Sequence, residues 1–224
     1  MLINSDSALI TFQELNAGIY LKQNDRSYAN ENMVSRLHRY VTRILKDVRK
    51  ERAGEKSVYN LGMAFSWVLA LANRFHIDLA IETFKRFPYV CPYCKTAPCS
   101  CESHRQPERS MVATNRVMPD SLREFQKMFG SIYVNTLKDA AMHLAEEAGE
   151  LDEAVEHYAG LHSAKLFDNV VTELVDVSTN IFAVANCLDI DLADELTRQF
   201  VNGCPECRQI PCQCGFIVQS CVQL

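Results

Sequence analysis

Two acidic patterns hold the residues best suited to chemistry. The first is Glu147-x-x-Glu150, with Glu146 beside it; the second, further along the chain, is Glu173-x-x-Asp176. An α-helix advances about 100° per residue, so Glu146, Glu147 and Glu150 fall within an arc of about 100°. Leu144, Leu151 and Val155 form the adjoining apolar stripe, which should pack on other helices. Glu173 and Asp176 share one face of a segment otherwise made of Val, Ile, Phe and Ala. A packed bundle rarely buries carboxylates without a partner, because an unpaired charge out of water is costly. Acids gathered with few basic neighbours point to a hard divalent cation. Mg²⁺ takes oxygen ligands, usually a few carboxylates plus the phosphates of a substrate. Runs of helical Glu also form plain solvated faces, and Asp152, Glu153 and Glu156 have that character.

A second constellation is made of sulfur. Cys91, Cys94, Cys99 and Cys101 follow the pattern C-P-x-C-x3-P-C-x-C, and Cys204, Cys207, Cys212 and Cys214 repeat it. Four thiolates at this spacing can close around one tetrahedral Zn²⁺, and a Cys-x2-Cys turn is a usual half-site. The repetition implies two structural zinc ions per chain. An iron–sulfur cluster and disulfides are the other readings of the same spacing. Lys95 and Arg208 are the basic residues inside these loops, thin provision for holding a nucleic-acid backbone. Cys187, in an apolar run, reads as a small core residue rather than a nucleophile.

The elements that must position these groups occur twice. At one constant offset along the chain, Phe12-Gln13 matches Phe125-Gln126 and Ile19-Tyr20 matches Ile132-Tyr133. At the same offset Ala72-Asn73, Ile77-Asp78-Leu79-Ala80, Glu82 and Phe87 match Ala185-Asn186, Ile190-Asp191-Leu192-Ala193, Glu195 and Phe200, and the cysteine loops coincide as well. We read a tandem duplication of one four-helix unit. The periodicity predicts first helices near 7–23 and 119–135, amphipathic second helices near 31–53 and 137–160, and apolar third helices near 57–75 and 164–188. Short fourth helices, capped by Asp78 and Asp191, run to about 87 and 200. This gives an all-α chain divided into residues 1–101, a linker 102–118, residues 119–214 and a tail 215–224. No run reads as a strand.

The first copy has lost the acids. Asn60 and Met63 stand where Glu173 and Asp176 stand. Aligning the second helices through their apolar positions sets Arg39 and Arg43 opposite Glu146 and Glu150, on a helix with seven Lys/Arg and two acids between Arg36 and Arg52. Arginine forks suit phosphate, so Arg39 and Arg43 could clamp phosphates across from the acidic helix. They could equally be a solvated face, or pair with Asp152, Glu153 and Glu156. Asn180, one turn after Asp176, is a candidate substrate or metal ligand, or else a hydrogen-bonded core Asn. His143 could support a site carboxylate or be structural. Phe65 and Trp67 read as core, with base stacking as the sharper option.

The Glu147-x-x-Glu150 … Glu173-x-x-Asp176 pattern, with its wording His143-Leu-Ala-Glu-Glu-Ala-Gly-Glu-Leu and Glu173-Leu-Val-Asp-Val, resembles the MazG-like all-α nucleoside triphosphate pyrophosphohydrolases. The resemblance covers about residues 120–200. It implies a helical bundle, here a pseudo-dimer of two units in one chain, that holds Mg²⁺ through Glu147, Glu150, Glu173 and Asp176. It implies cleavage of a nucleoside or deoxynucleoside triphosphate between the α and β phosphates, for nucleotide house-cleaning or pool control. Glu146 would be an outer-shell ligand or a water-orienting base. A non-catalytic nucleotide-binding or zinc-stapled interaction module is the alternative.

Composition limits the remaining classes. The chain has 224 residues, 48% hydrophobic, with a net charge of -5, which supports a sizeable core and argues against general binding of polyanions such as nucleic acid. No basic n-region opens the sequence, and no apolar stretch of membrane-spanning length is evident, so neither a signal peptide nor a membrane span is expected. Clustered cysteines fit metal in a reducing cytoplasm better than a disulfide scaffold. The chain is expected to be a monomeric pseudo-dimer or a homo-oligomer.

Overall fold

Polar side chains at helix starts set most of the boundaries. In the computed structural model, which describes residues 3–104 and 115–214, the elements are α1 (Leu9–Ser27), α2 (Asn30–Arg49), α3 (Glu55–Arg74), α4 (Leu79–Arg86), a single turn α5 (Cys101–His104), α6 (Leu122–Ile132), α7 (Leu137–Leu161), α8 (Ala164–Cys187) and α9 (Leu192–Phe200). No strand occurs among the described residues. The Asp78 carboxylate accepts from the Ile81 N–H at 3.0 Å, and Asp191 accepts from Ala193 and Asp194 at 2.9 and 3.1 Å, so both expected caps are present. Thr136 and Ser163 cap α7 and α8 by accepting from the N–H groups of Asp139 and Leu166. The turn α5 runs from the last residue of the first unit into the stretch expected to be a linker, much of which, 105–114, lies outside the described residues, as does the tail.

The helices α2, α3, α8 and α7 form a closed ring of neighbours, each packed on the next, and this bundle holds the core. The pairings cross between halves: α4 rests on α8 and α9 rests on α3. Phe182 of α8 lies 5.6 Å from Phe65 of α3 and 5.5 Å from Phe129 of α6, so one aromatic stack belongs to both halves. Phe87 meets Tyr133, and Tyr20 meets Phe200, edge to face at 6.3 and 6.4 Å.

Hydrogen bonds recur at the same offset as the residues. Gln13 Nε2 donates to the Ile77 carbonyl at 2.7 Å, and Gln126 Nε2 to the Ile190 carbonyl at 2.7 Å. Asn73 and Asn186 each donate to the carbonyl of that glutamine, at 3.0 and 3.1 Å. The Cys99 N–H donates to Ile132 and the Cys212 N–H to Ile19, both at 2.7 Å, so each cysteine loop docks on the first helix of the opposite half.

The expectation that no stretch reaches membrane-spanning length and hydropathy is corrected by α8. Ala164–Cys187 is long and apolar enough by those two measures, and 72% of its apolar window is buried against the rest of the protein. Its hydropathy follows from its position, because a central bundle helix has neighbours on most sides and keeps few polar residues.

Candidate functional site

The geometry of α7 decides which acids enter the bundle. Its buried side is Ala140, Leu144, Ala148, Leu151 and Val155. Measured around the helix, Glu147 lies about 60° from the middle of that stripe, Glu150 about 120° and Glu146 about 160°. Glu147 is accordingly half-buried, whereas Glu146 and Glu150 are exposed. On α8, which is buried nearly all round, Asp176 is 2% exposed and Glu173 half-buried. Carboxylate oxygens of Glu147, Glu173 and Asp176 lie within 4.8 Å of one another, a group that could hold a metal ion. Glu150, expected as a fourth ligand, is outside that group, one turn along the outer side of α7. An octahedral Mg²⁺ with oxygens about 2.1 Å away places adjacent ligand atoms about 3 Å apart, a spacing this group accommodates.

The surroundings of the acids come from both halves. Tyr133, at the end of α6, is half-buried, hydrogen-bonded with Cys91, and close enough to feel the charge of Asp176; burial first, then these neighbours, push its hydroxyl well above the usual tyrosine range. The acids thus adjoin the first cysteine loop. Arg86 of α4 donates to Asp168 of α8 at 3.4 Å, fixing α4 against the start of that helix. Asn180 donates its amide to the Asp176 carbonyl at 3.0 Å, so one end of the side chain is used by its own helix.

The two basic candidates are not with the acids. Arg39 is exposed. Arg43 lies over the Tyr40 ring at 5.4 Å and lines a cavity bounded by α2, α3, α9 and the second cysteine loop, to which none of the three acids contributes. The acidic outer face of α7 instead meets His38 of α2, whose Nε2 lies 3.7 Å from Asp152. The alignment set the arginines opposite the acids in register, but the bundle leaves Arg39 exposed and turns Arg43 toward α3 and α9, away from the three acids. His143 is exposed. Phe65 is fully buried, whereas Trp67 is half-buried with its ring 5.7 Å from Tyr28. Cys187 sits at the end of α8 and donates to the Asn135 carbonyl at 3.3 Å.

The sulfur clusters close as their spacing suggests. All four Sγ atoms of each loop lie within 4.8 Å of one another. Cys91–Cys101 and Cys94–Cys99 are separated by 3.5 and 3.8 Å, and Cys204–Cys214 and Cys207–Cys212 by 3.8 and 3.9 Å. A disulfide needs about 2.05 Å, so these thiols are free. A tetrahedral Zn²⁺ with Zn–S about 2.3 Å has an edge of about 3.8 Å, so each cluster could hold one such ion. Burial pushes the Cys94 thiol up, but the Thr96 hydroxyl and the Ser100 N–H outweigh it and bring it to about 5. The Gln213 and Gln209 N–H groups bring Cys207 to about 6. Burial raises the thiols of Cys101 and Cys212, and carries Cys214 to about 11. Compared with protein-family models, with curated proteins and with solved structures, the chain matches none.

Proposed function

We propose that the protein hydrolyses a nucleoside or deoxynucleoside triphosphate to the monophosphate and pyrophosphate with Mg²⁺. The observation that carries this reading is the convergence of Glu147, Glu173 and Asp176 within 4.8 Å from two adjacent helices, with Asp176 buried. The resemblance of their sequence setting to MazG-like pyrophosphohydrolases names the reaction. Bound Mg²⁺ would supply polarisation of the phosphate oxygens and a lower pKa for bound water. Glu147, Glu173 and Asp176 would bind and orient the triphosphate end through the ion. Glu150 lies one helical turn beyond Glu147, close enough for the two to act together. From the outer side of α7, Glu146 would orient an attacking water and take its proton, with Glu150 flanking it. The water oxygen then bonds to the α-phosphorus as the bond to the bridging oxygen breaks, and pyrophosphate leaves. The chemistry is mainly positioning and charge neutralisation.

In the same reading each cysteine loop carries a structural Zn²⁺, which suits a reducing compartment because the thiols are free. We also read the two halves as tandem copies of one unit, packed as a pseudo-dimer. The function is tested by pyrophosphate release from a panel of NTPs and dNTPs with Mg²⁺. Release that is lost in Glu173→Gln and Asp176→Asn supports it. Absence of release from every nucleotide leaves the alternative, a non-catalytic nucleotide-binding or zinc-stapled interaction module. One observation favours that alternative: a cavity of about 850 Å³ opens between α2, α3, α9 and the second cysteine loop, and none of the three acids lines it.

A further inference from the structure

The basic face of α2 is unused by the site described above, yet it borders that cavity. Arg43, Lys46, Arg52, Lys56, Arg198 and Arg208 all line it, against four acids. Two of the acids are already engaged. Asp47 accepts from Arg52 at 2.9 Å, and buried Glu195 is paired with Arg198. Arg43, Lys46, Lys56 and Arg208 remain, facing only Glu55 and Glu206. A concentration of positive charge in a chain of net charge -5 is a local departure from its overall balance, and it raises the local concentration of anions. The floor of the cavity includes Asn60, the first-half counterpart of Glu173. An amide there removes the charge that would repel an anion.

A second chamber adjoins the first. It has a volume of about 140 Å³; Tyr28, Tyr40, Met63 and Trp67 line it, together with Arg36 and with Cys204, Cys212 and Cys214 of the second loop. Met63 is the counterpart of Asp176 and Trp67 that of Asn180, so both polar positions are apolar in this half. Glu206 borders both chambers, and Arg43 of the larger lies over the Tyr40 ring of the smaller. A flat ring in the aromatic recess and phosphates among the cations could therefore belong to one molecule. Aromatic faces accept any base by stacking, and arginine forks hold phosphate oxygens.

We propose that the cleft between α2, α3, α9 and the second cysteine loop binds a nucleotide without hydrolysing it, its phosphates on Arg43, Lys46 and Lys56 and its base against Tyr40 and Trp67. The site is separate from Glu147, Glu173 and Asp176, and the proposal does not depend on their activity. Arg208, inside the second cysteine loop, links occupancy to that loop.

Trp67 is the sole tryptophan, so its emission reports on this recess alone. The full-length chain carrying Asp176→Asn, chosen to remove the turnover proposed above, is titrated singly with ATP, GTP, CTP and UTP without added divalent ions. Binding is followed by calorimetry, and its place by Trp67 emission corrected against free tryptophan. At least one nucleotide should bind saturably and change the emission. Arg43→Gln with Lys56→Gln, both at exposed positions, should weaken that binding at least 10-fold, and the matching nucleoside should bind at least 10-fold more weakly than the nucleotide. Inorganic tripolyphosphate should compete with the nucleotide. No binding of any nucleotide overturns the proposal. So does binding that the double variant leaves unchanged, or tripolyphosphate binding as tightly as the best nucleotide. Pyrophosphate release by the unaltered chain is measured separately, so loss of either proposal leaves the other standing.

Discussion

A carboxylate's part in this protein depends on its angle around its helix. Glu146, Glu147 and Glu150 are neighbours in sequence, yet only Glu147 turns far enough inward to meet Glu173 and Asp176. Substitutions should rank accordingly. Glu173→Gln and Asp176→Asn should each lower Mg²⁺-dependent pyrophosphate release by about 100-fold or more, the scale of losing a group that stabilises the transition state. Glu156→Gln, at an exposed position of the same helix, should leave it unchanged. Equal losses from all three would show that release does not pass through the buried acids. Calorimetry with Mg²⁺ should show the same ranking in metal affinity, which separates lost binding from misfolding.

The cysteine loops and the short helices before them act as units. Metal analysis should find two zinc ions per chain, and chelation should lower the melting temperature, because binding energy at such sites is folding energy. The direction with pH follows from the thiols. Cys94 and Cys207, held near 5 and 6, are thiolates at neutral pH. Cys101, Cys212 and Cys214, raised by burial, keep their protons there until an ion displaces them. Zinc binding therefore expels protons, and affinity should fall steadily as pH falls, with release complete once Cys94 and Cys207 also protonate. A zinc-binding dye followed from pH 8 to pH 4 reads this; release that rises with pH would contradict it. The helix caps offer a separate test. Asp191→Ala frees two N–H groups of α9 and removes one of three carboxylates around Arg123, so it should cost about 1–2 kcal/mol in denaturant unfolding.

The whole molecule is held by contacts that cross between its halves. Phe182 touches Phe65 of the first half and Phe129 of the second. Phe182→Ala should cost about 3–5 kcal/mol and should lower one shared unfolding transition rather than split it in two. Residues 119–214 expressed alone would expose the apolar sides of α8 that α3 and α4 cover. Size-exclusion chromatography should show that fragment self-associating; a well-behaved folded monomer would mean the halves are independent domains. The same crossing packs each cysteine loop on the other half, through Cys99 on Ile132 and Cys212 on Ile19.

Most of this architecture was legible in the chain, because helix periodicity, capping residues and the spacing of four cysteines are local properties. The Asp78 and Asp191 caps, the length of α7 and the closure of both sulfur clusters need only neighbouring residues to be read. Residue matches at one constant offset were equally visible, since they compare one stretch with another, and hydrogen bonds of Gln13 and Gln126 recur at that offset. Packing decided the rest. Which way α7 rolls against α8 admits Glu147 and leaves Glu150 outside, and the packing of α3, α9 and the second cysteine loop around α2 sets Arg43 on a cavity the acids do not line. A helix's sequence fixes which residues share a face, but a face becomes a site only when another element closes over it, and that choice is made by the sum of contacts across the core.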